Sequence, residues 1–207
     1  MFYQVKGVIP GIDKKIWTWP RDNPRMLRYF DAASPSDVNA AVDALPFIRG
    51  SCVQAGGSMG VWPLRLAQFF TTVYTFEPDP DSFHCLRENT RDVQNIRAHH
   101  AALGEQQGLV GVTHPELDNY GATQVTADGQ IEMKRIDDLQ LEDCGLIYLD
   151  VEGFESRVIR GALQTIERCK PIIGVEVKLD KEVVPLLKSM GYRVHATIFL
   201  DVMLRAD

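Results

Sequence analysis

Three groups of residues in this chain have the types and the spacing of a binding or catalytic site. The first is a glycine-rich segment, Gly56-Gly57-Ser58-Met59-Gly60. The second is Glu77, and the third is the acidic segment Asp150-Val151-Glu152-Gly153-Phe154-Glu155. Glycines let a ligand approach the backbone without a Cβ atom in the way, and carboxylates accept hydrogen bonds or protons. Together the three groups suggest a pocket with a polar ligand and an acid–base function.

The glycine segment separates an expected strand, Ser51–Ala55, from an expected helix, Val61–Phe70. The free N–H groups and positive end of that helix suit a carboxylate or a phosphate. A dinucleotide fingerprint needs glycines at positions i, i+2 and i+5, and Ser58 breaks this spacing. The segment therefore gives only weak support for a pyrophosphate site. A ligand with one carboxylate and an adenosine does not need the full glycine fingerprint.

Glu77 follows a second expected strand, Val73–Phe76, at roughly the 20-residue spacing at which an acid reaches ribose hydroxyls in nucleotide-binding folds. Its two oxygens can accept both hydroxyl protons. Alternatively, Glu77 is a solvated acid that ends a strand and caps the next helix, expected over Asp79–Thr90. The distance from the glycine turn favours the ribose role.

Asp150 and Glu152 project to one face if the strand expected over Gly145–Val151 continues through them. A carboxylate crowded by another has a raised pKa and is a better base. Alternatively, Asp150 caps a helix and Glu152 is solvated, or Asp150, Glu152 and Glu155 together hold Mg²⁺. No P-loop, G-x-S-x-G or H-E-x-x-H motif accompanies them, so we expect no metal.

Alternating strands and helices predict a parallel sheet covered by helices, with ligands at the carboxyl ends of its strands. A helix capped by Ser36 or Asp37 should run through Ala44, and one further helix should carry Val158–Ile166. Segment 104–135 is turn-rich, with one or two short strands. The remaining expected elements are the strands Ile96–Leu103, Pro171–Val177, Tyr192–Thr197 and Phe199–Leu204 and the helix Glu182–Met190.

Residues 1–35 are rich in prolines and aromatic side chains and read as an N-terminal arm on a domain spanning 36–207. The arm could pack on the core, form a lid or make an oligomer contact. The third option would make the protein a homo-oligomer.

Beyond their individual types, these residues follow a known pattern. The chain resembles FkbM-type S-adenosylmethionine-dependent methyltransferases from about Ser51 to Val177. The resemblance implies an α/β, Rossmann-like class I methyltransferase fold: a mostly parallel seven-stranded sheet with helices on both faces and an antiparallel C-terminal strand. It also implies methyl transfer to an oxygen, usually a hydroxyl of a small molecule or sugar. The matching segments are Gln54-Ala55-Gly56-Gly57 with Gly60, Phe76–Pro80, Asn89, Ala101–Gly104, Ile136–Leu139, Leu149–Glu155, Pro171 and Val175-Glu176.

The resemblance also implies roles for individual positions. Asp150 or Glu152 would orient the acceptor hydroxyl and take its proton, with the hydroxyl in line with the carbon–sulfur bond. Gln54 stands where many methyltransferases carry an acid for the cofactor's ammonium group, and its carbonyl would accept that bond without charge assistance. The implied cofactor contacts are Gly56, Gly57, Ser58 and Gly60 at the methionine part, Glu77 with Pro78 and Asp79 at the ribose, Ala101 and Ala102 at the adenine, and Asp150 closing the pocket.

Composition narrows the partners. With 207 residues and a net charge of −6, the chain is a poor match for a nucleic-acid polymer. It has no apolar run of membrane-spanning length and no secretory signal, so we expect a cytoplasmic protein with a small-molecule acceptor and no membrane contact. Two alternatives remain: a non-catalytic Rossmann-like nucleotide- or cofactor-binding module, and a nicotinamide-dependent oxidoreductase, which the failed glycine spacing argues against.

Overall fold

The computed structural model describes residues 3–6, 15–18, 50–115, 120–198 and 201–206. The helix expected at 36–44 and most of the N-terminal arm lie outside these residues. The strands, in chain order, are β1 (Tyr3–Lys6), β2 (Lys15–Thr18), β3 (Ser51–Ala55), β4 (Thr72–Phe76), β5 (Ile96–His99), β6 (Ala102–Leu103), β7 (Gly108–Thr113), β8 (Gln124–Lys134), β9 (Cys144–Leu149), β10 (Ile172–Glu176), β11 (Tyr192–Ile198) and β12 (Asp201–Ala206).

Five α-helices connect these strands within the described residues, and two short 3-10 turns cover Tyr120–Ala122 and Ile136–Leu139. No helix in this part of the chain has the combined length and apolar character needed to cross a membrane. The helices are α1 (Val61–Leu66), α2 (Pro80–Thr90), α3 (Glu155–Arg160), α4 (Leu163–Cys169) and α5 (Val183–Ser189).

The main sheet has seven strands in the order β11-β12-β10-β9-β3-β4-β5. The pairs among β10, β9, β3, β4 and β5 are parallel, whereas β12 runs antiparallel to both of its neighbours. This arrangement confirms the predicted α/β fold with an antiparallel last strand.

The central strand β3 shows why helices cover both faces of this sheet, since all five of its residues are buried. Cys52 packs in an apolar cluster with residues of α1 and α2, and Val53 packs in a second cluster with residues of α3, α4 and α5. Because successive side chains of a strand point to opposite faces, one short apolar run supplies both cores.

The segment from 96 to 135 differs most from its prediction. The strand expected over Ile96–Leu103 divides into β5, which is an edge of the main sheet, and β6, which joins a separate sheet. That separate sheet has the order β6-β8-β7, and its strand β8 is eleven residues long rather than short. We call it the small sheet. A register shift after Val110, where Gly111 and Gly129 bring their backbones together, hides the strand pattern in the sequence.

The helix expected after Asp150 is also interrupted, because α3 and α4 are separated at Gly161. A Cβ atom on Gly161 would lie 2.0 Å from the carbonyl oxygen of Gly104. The carbonyl of Gly161 accepts a hydrogen bond from the N–H of Asp137 (3.0 Å). The close contact with the chain around Gly104 therefore sets the bend between the two helices.

Two short pieces of the N-terminal arm are described, and they form the antiparallel hairpin β1-β2. Ile16 of β2 is fully buried, in one apolar cluster with Met59 and Val61. Residues 16–18 of β2 therefore pack on the core, as one of the three options for the arm requires. The boundary at residue 35 stays a prediction, and so does an oligomer contact by the rest of the arm.

Asp137 connects the end of the small sheet to helix α4. Its carboxylate accepts hydrogen bonds from the Thr165 N–H (2.8 Å), the Thr165 hydroxyl (2.8 Å) and the Gln164 N–H (3.2 Å). It satisfies N–H groups that the first turn of a helix leaves without partners. Asp137 thus caps α4 from outside the helix.

We predict that Asp137→Ala lowers the free energy of unfolding by about 1–2 kcal/mol, because two backbone N–H groups and a hydroxyl lose their acceptor. Urea unfolding followed by circular dichroism measures the loss. Asp92→Ala is the matched control, since the Asp92 side chain is 79% exposed and the change should stay within about 0.5 kcal/mol. Equal stability of the two variants would contradict the capping role.

Candidate functional site

Three strands of the main sheet end at the same level. In the register of the sheet, Ala55 lies beside Phe76 on one side and beside Leu149 on the other. The residues that follow are Gly56, Glu77 and Asp150, so the three groups singled out in the sequence meet at one edge. This edge is where strand order reverses between β3 and β9, the expected position for a ligand in such sheets.

A partly enclosed cavity lies at this edge, in the position where ligands bind in sheets of this kind. Its walls come from the three strand ends, from the chain after β5 and from the small sheet. Ala101 and Ala102, the small residues expected beside the adenine ring, line this cavity. The other lining residues are Ala55, Gly56, Ser58, Phe76, Glu77, Pro78, Leu103, Gly121, Thr123, Val125, Asp150, Val151, Glu152 and Phe154.

The glycine turn divides into residues at the cavity and residues that pack behind it. Gly56 and Ser58 line the cavity. Gly57 and Gly60 do not, contrary to expectation: Cβ atoms there would lie 2.8 Å and 3.2 Å from the Leu86 side chain of α2. Their lack of a side chain lets α2 pack closely against the turn.

Gly56 is the position where the turn most needs a glycine. Its φ is +82°, and a Cβ atom there would lie 1.9 Å from the Asp150 carbonyl oxygen. The N–H groups of Gly56 and Gly57 both donate to the Phe76 carbonyl, at 3.1 Å and 3.0 Å. The turn is therefore fixed to both neighbouring strands.

The Glu77 carboxylate is 5% exposed and receives two backbone hydrogen bonds. The Ser58 N–H donates to Oε2 (2.7 Å), and the Asp79 N–H donates to Oε1 (2.8 Å). Burial raises the pKa of Glu77 to about 7, although these two N–H groups act in the opposite direction. Because each carboxylate oxygen can accept two bonds, Glu77 keeps acceptor capacity at the cavity wall.

The two residues after Glu77 have different positions. Pro78 lines the cavity as expected. Asp79 does not: its Oδ1 accepts the Ser82 N–H (2.8 Å) and caps α2, and its Oδ2 lies 3.1 Å from His114 Nε2. Asp79 therefore holds the loop that carries Glu77 and is not itself among the residues of the cavity wall.

Gln54 also has a different place from the predicted one. It is fully buried and does not line the cavity. Its Nε2 donates to the carbonyls of Ala55 (3.1 Å) and Gly56 (2.9 Å), and its Oε1 accepts the Thr75 hydroxyl (2.5 Å). These bonds hold the side chain against the backbone of the turn, so its geometry supports the turn rather than a ligand's ammonium group.

Asp150 and Glu152 both line the cavity, as predicted. Burial, followed by the charges of Glu176, Glu152 and Asp201, raises the pKa of Asp150 well above its ordinary value. Such a group is a stronger base when it is ionised and is suited to proton transfer. Glu152 reaches its position through a left-handed backbone conformation (φ 52°) instead of by continuing the strand.

The third member of the acidic group is Glu176 at the end of β10, and not Glu155. The Glu155 carboxylate accepts the N–H groups of Val151 and Gly153 (3.1 Å each) and so braces the loop after β9. Side-chain oxygens of Asp150, Glu152 and Glu176 lie within 4.8 Å of one another, a spacing that suits a divalent cation. The expectation of no metal stays a prediction.

Part of the cavity wall comes from the small sheet and from the loop before β8. Thr123 and Val125 come from the segment read as turn-rich, and Leu103 comes from β6. Phe154 belongs to the acidic segment after β9, and its ring carries the Arg157 guanidinium 5.0 Å above its centroid. The pairing of β8 with β6 and β7 brings Leu103, Thr123 and Val125 to the cavity.

This sheet order with a cavity at the reversal point defines a Rossmann-like methyltransferase fold. The family model of the Methyltransferase FkbM domain matches residues 70–194, more than half of the chain, so the chain belongs to this family. A solved FkbM methyltransferase from Methylobacillus flagellatus has the same fold, with a TM-score of 0.57 and 21% identity over 78% of this chain and 44% of that one.

Two curated relatives are similar in sequence. The 2-O-methyltransferase NoeI of Sinorhizobium fredii is 30% identical over 47% of this chain and 50% of its own. The hexuronic acid methyltransferase AglP of Haloferax volcanii is 29% identical over 60% of this chain and 56% of its own. The chain thus spans about half the length of the curated relatives it matches.

We predict that Gly56→Ala lowers the free energy of unfolding by about 3 kcal/mol or more, because a left-handed residue gains a Cβ atom that overlaps the β9 tail. Gly191→Ala is the matched control: its φ is +84°, and nothing lies within 4 Å of an added Cβ atom. That variant should lose only about 1 kcal/mol. Urea unfolding of both variants measures the difference, and similar losses would show that the close approach to Asp150 is unimportant.

Proposed function

We propose that this chain is an S-adenosylmethionine-dependent O-methyltransferase acting on a hydroxyl of a small molecule or sugar. The observation that carries the proposal is that Gly56, Glu77 and Asp150 follow three aligned strand ends and line one cavity. The names of the two curated relatives support the acceptor class, since one is a 2-O-methyltransferase and the other acts on hexuronic acid.

The cavity walls fit an adenosyl cofactor. The Ser58 hydroxyl is buried at the cavity wall and has no partner among the described residues. Glu77 has acceptor capacity for ribose hydroxyls, and Ala101 and Ala102 leave room for a flat ring. When bound, the cofactor supplies an electrophilic methyl group on a sulfonium. Ser58 and Gly56 would hold its amino-acid part, Glu77 with Pro78 its ribose, and the two alanines its adenine.

Asp150 is the proposed general base. It would accept a hydrogen bond from the acceptor hydroxyl, orient the oxygen and take its proton as the new carbon–oxygen bond forms. Glu152 lies at the same wall and is the second candidate for this role. Alignment of two held reactants is worth roughly 7–11 kcal/mol, so much of the rate would come from the cavity itself.

Family membership decides against the nicotinamide-dependent alternative. The reaction product distinguishes an enzyme from the non-catalytic alternative. An enzyme releases S-adenosylhomocysteine when an acceptor is added, and a binding module does not. Cytoplasmic location and the absence of nucleic-acid partners stay predictions.

We predict that S-adenosylhomocysteine binds about tenfold more weakly at pH 6 than at pH 8. Binding needs the ionised carboxylate of Glu77, and with a pKa of about 7 this group is mostly protonated at pH 6. Isothermal titration calorimetry measures both affinities. Glu77→Gln should bind about tenfold more weakly than wild type at pH 8 and should lose the pH dependence.

The matched control for this substitution is Glu132→Gln, which changes a side chain 66% exposed on β8. It should leave both affinities unchanged. A wild-type affinity that is flat with pH, or full affinity in Glu77→Gln, would remove Glu77 from the cofactor site.

We predict that Asp150→Asn lowers kcat by about 10²–10⁴-fold, because the amide cannot take a proton, and leaves the affinity for S-adenosylhomocysteine within a few-fold. Turnover is measured as release of S-adenosylhomocysteine with a panel of hexoses and hexuronic acids. Glu152→Gln in parallel tells which carboxylate is the base. Full activity of Asp150→Asn would exclude Asp150.

A further inference from the structure

The side chain of Asn89, near the end of α2, joins three segments of the chain. Its Oδ1 accepts the Trp17 N–H of β2 (2.7 Å). Its Nδ2 donates to the Trp17 carbonyl and to the Met59 carbonyl, at 2.8 Å each. Asn89 is 1% exposed, and its bond to the Met59 carbonyl is buried. One carboxamide therefore links the N-terminal hairpin to the glycine turn.

Met59 directly follows Ser58, which contacts both Glu77 and the cavity. Ser58 donates its N–H to Glu77, and its hydroxyl is the buried atom without a partner at the cavity wall. Ser58 also has a left-handed backbone (φ 47°), which a non-glycine residue adopts only when its surroundings hold it. The bond from Asn89 holds the peptide group between Met59 and Gly60.

A shared apolar cluster accompanies this connection. The side chains of Met59 in the turn and Ile16 in β2 are both 0% exposed and belong to one buried cluster. The turn and β2 are thus joined by the Asn89 hydrogen bonds and contribute to the same part of the core. No described residue of β2 lines the cavity itself.

We propose that Asn89 is a positioning residue: by bonding to β2 and to Met59, it holds the glycine turn in the conformation that binds the cofactor. Strand β2 thereby contributes to the cofactor site without lining the cavity. The inference rests on the proposed function. Asparagine is the residue the geometry requires, because the contacts need one acceptor and two donors from a short side chain. Asn89→Ala leaves the carbonyls of Trp17 and Met59 and the N–H of Trp17 without this partner.

Coupling of this kind acts in both directions. If β2 and Asn89 hold the turn for the ligand, then a ligand that holds the turn also holds β2. Binding of S-adenosylhomocysteine should therefore slow hydrogen exchange at 15–18 as well as at 56–61. Because a bound ligand also stabilises the whole fold, the slowing at 15–18 must exceed that in a segment remote from the turn, such as α4 (Leu163–Cys169).

The test compares the full-length wild type, Asn89→Ala and a matched control, Asn95→Ala. Asn95 also donates through its Nδ2 to two backbone carbonyls, those of Ala67 (2.8 Å) and Phe70 (2.9 Å), but it does not contact the turn. We expect calorimetry to show about tenfold weaker binding of S-adenosylhomocysteine by Asn89→Ala, and a change of less than about twofold for Asn95→Ala.

Hydrogen exchange followed by mass spectrometry completes the test and needs only the wild type, so it stands even if Asn89→Ala does not fold. Slower exchange at 15–18 on adding S-adenosylhomocysteine supports the proposal, and its loss in the milder variant Asn89→Ser supports it further. The proposal is overturned if the wild type binds the ligand while exchange at 15–18 is unchanged, or if Asn89→Ala binds equally well. Absence of binding by the wild type would instead overturn the proposed function and, with it, this inference.

Discussion

The site depends on a buried carboxylate at the end of the second parallel strand. Glu77 receives the N–H groups of Ser58 and Asp79, so it connects the glycine turn to the start of α2. Raising its pKa from 4.5 to about 7 corresponds to about 3 kcal/mol against the ionised form. A buried carboxyl group in a cleft with a pKa raised in this way is a candidate for ligand binding.

The arrangement around Glu77 follows from the register of the sheet and from close backbone packing. The ends of β3, β4 and β9 are level, and a side chain on Gly56 would force the β9 tail away. Asp79, Asn89 and Gln54 then hold the loops through hydrogen bonds to backbone groups. A set of buried polar side chains thus supports the turn from behind while the cavity wall stays available.

The sequence predicted the parts of this structure that local patterns determine. β3, β4, β9 and β10 are short apolar runs, and α2 begins with its cap at Asp79, so all were located within one or two residues. The length of β8 and the separate small sheet were not predicted, because only one residue of β8 is fully buried and its register shifts at a pair of glycines. Residue types also indicated Glu77 and Asp150, but they could not tell which way Gln54, Gly57 and Gly60 face. Glu176 joins the acids only through the pairing of β10 with β9.

The small sheet has a consequence for how acceptor preference can change. It packs through an apolar cluster of its own, formed by Ala102, Val110 and Met133, and it contributes Thr123 and Val125 to the cavity from β8 and the residue just before it. The strand ends that carry Glu77 and Asp150 belong to a different sheet with a different core. Substitutions at Thr123 and Val125 can therefore reshape one wall of the cavity while Glu77 and Asp150 stay in place.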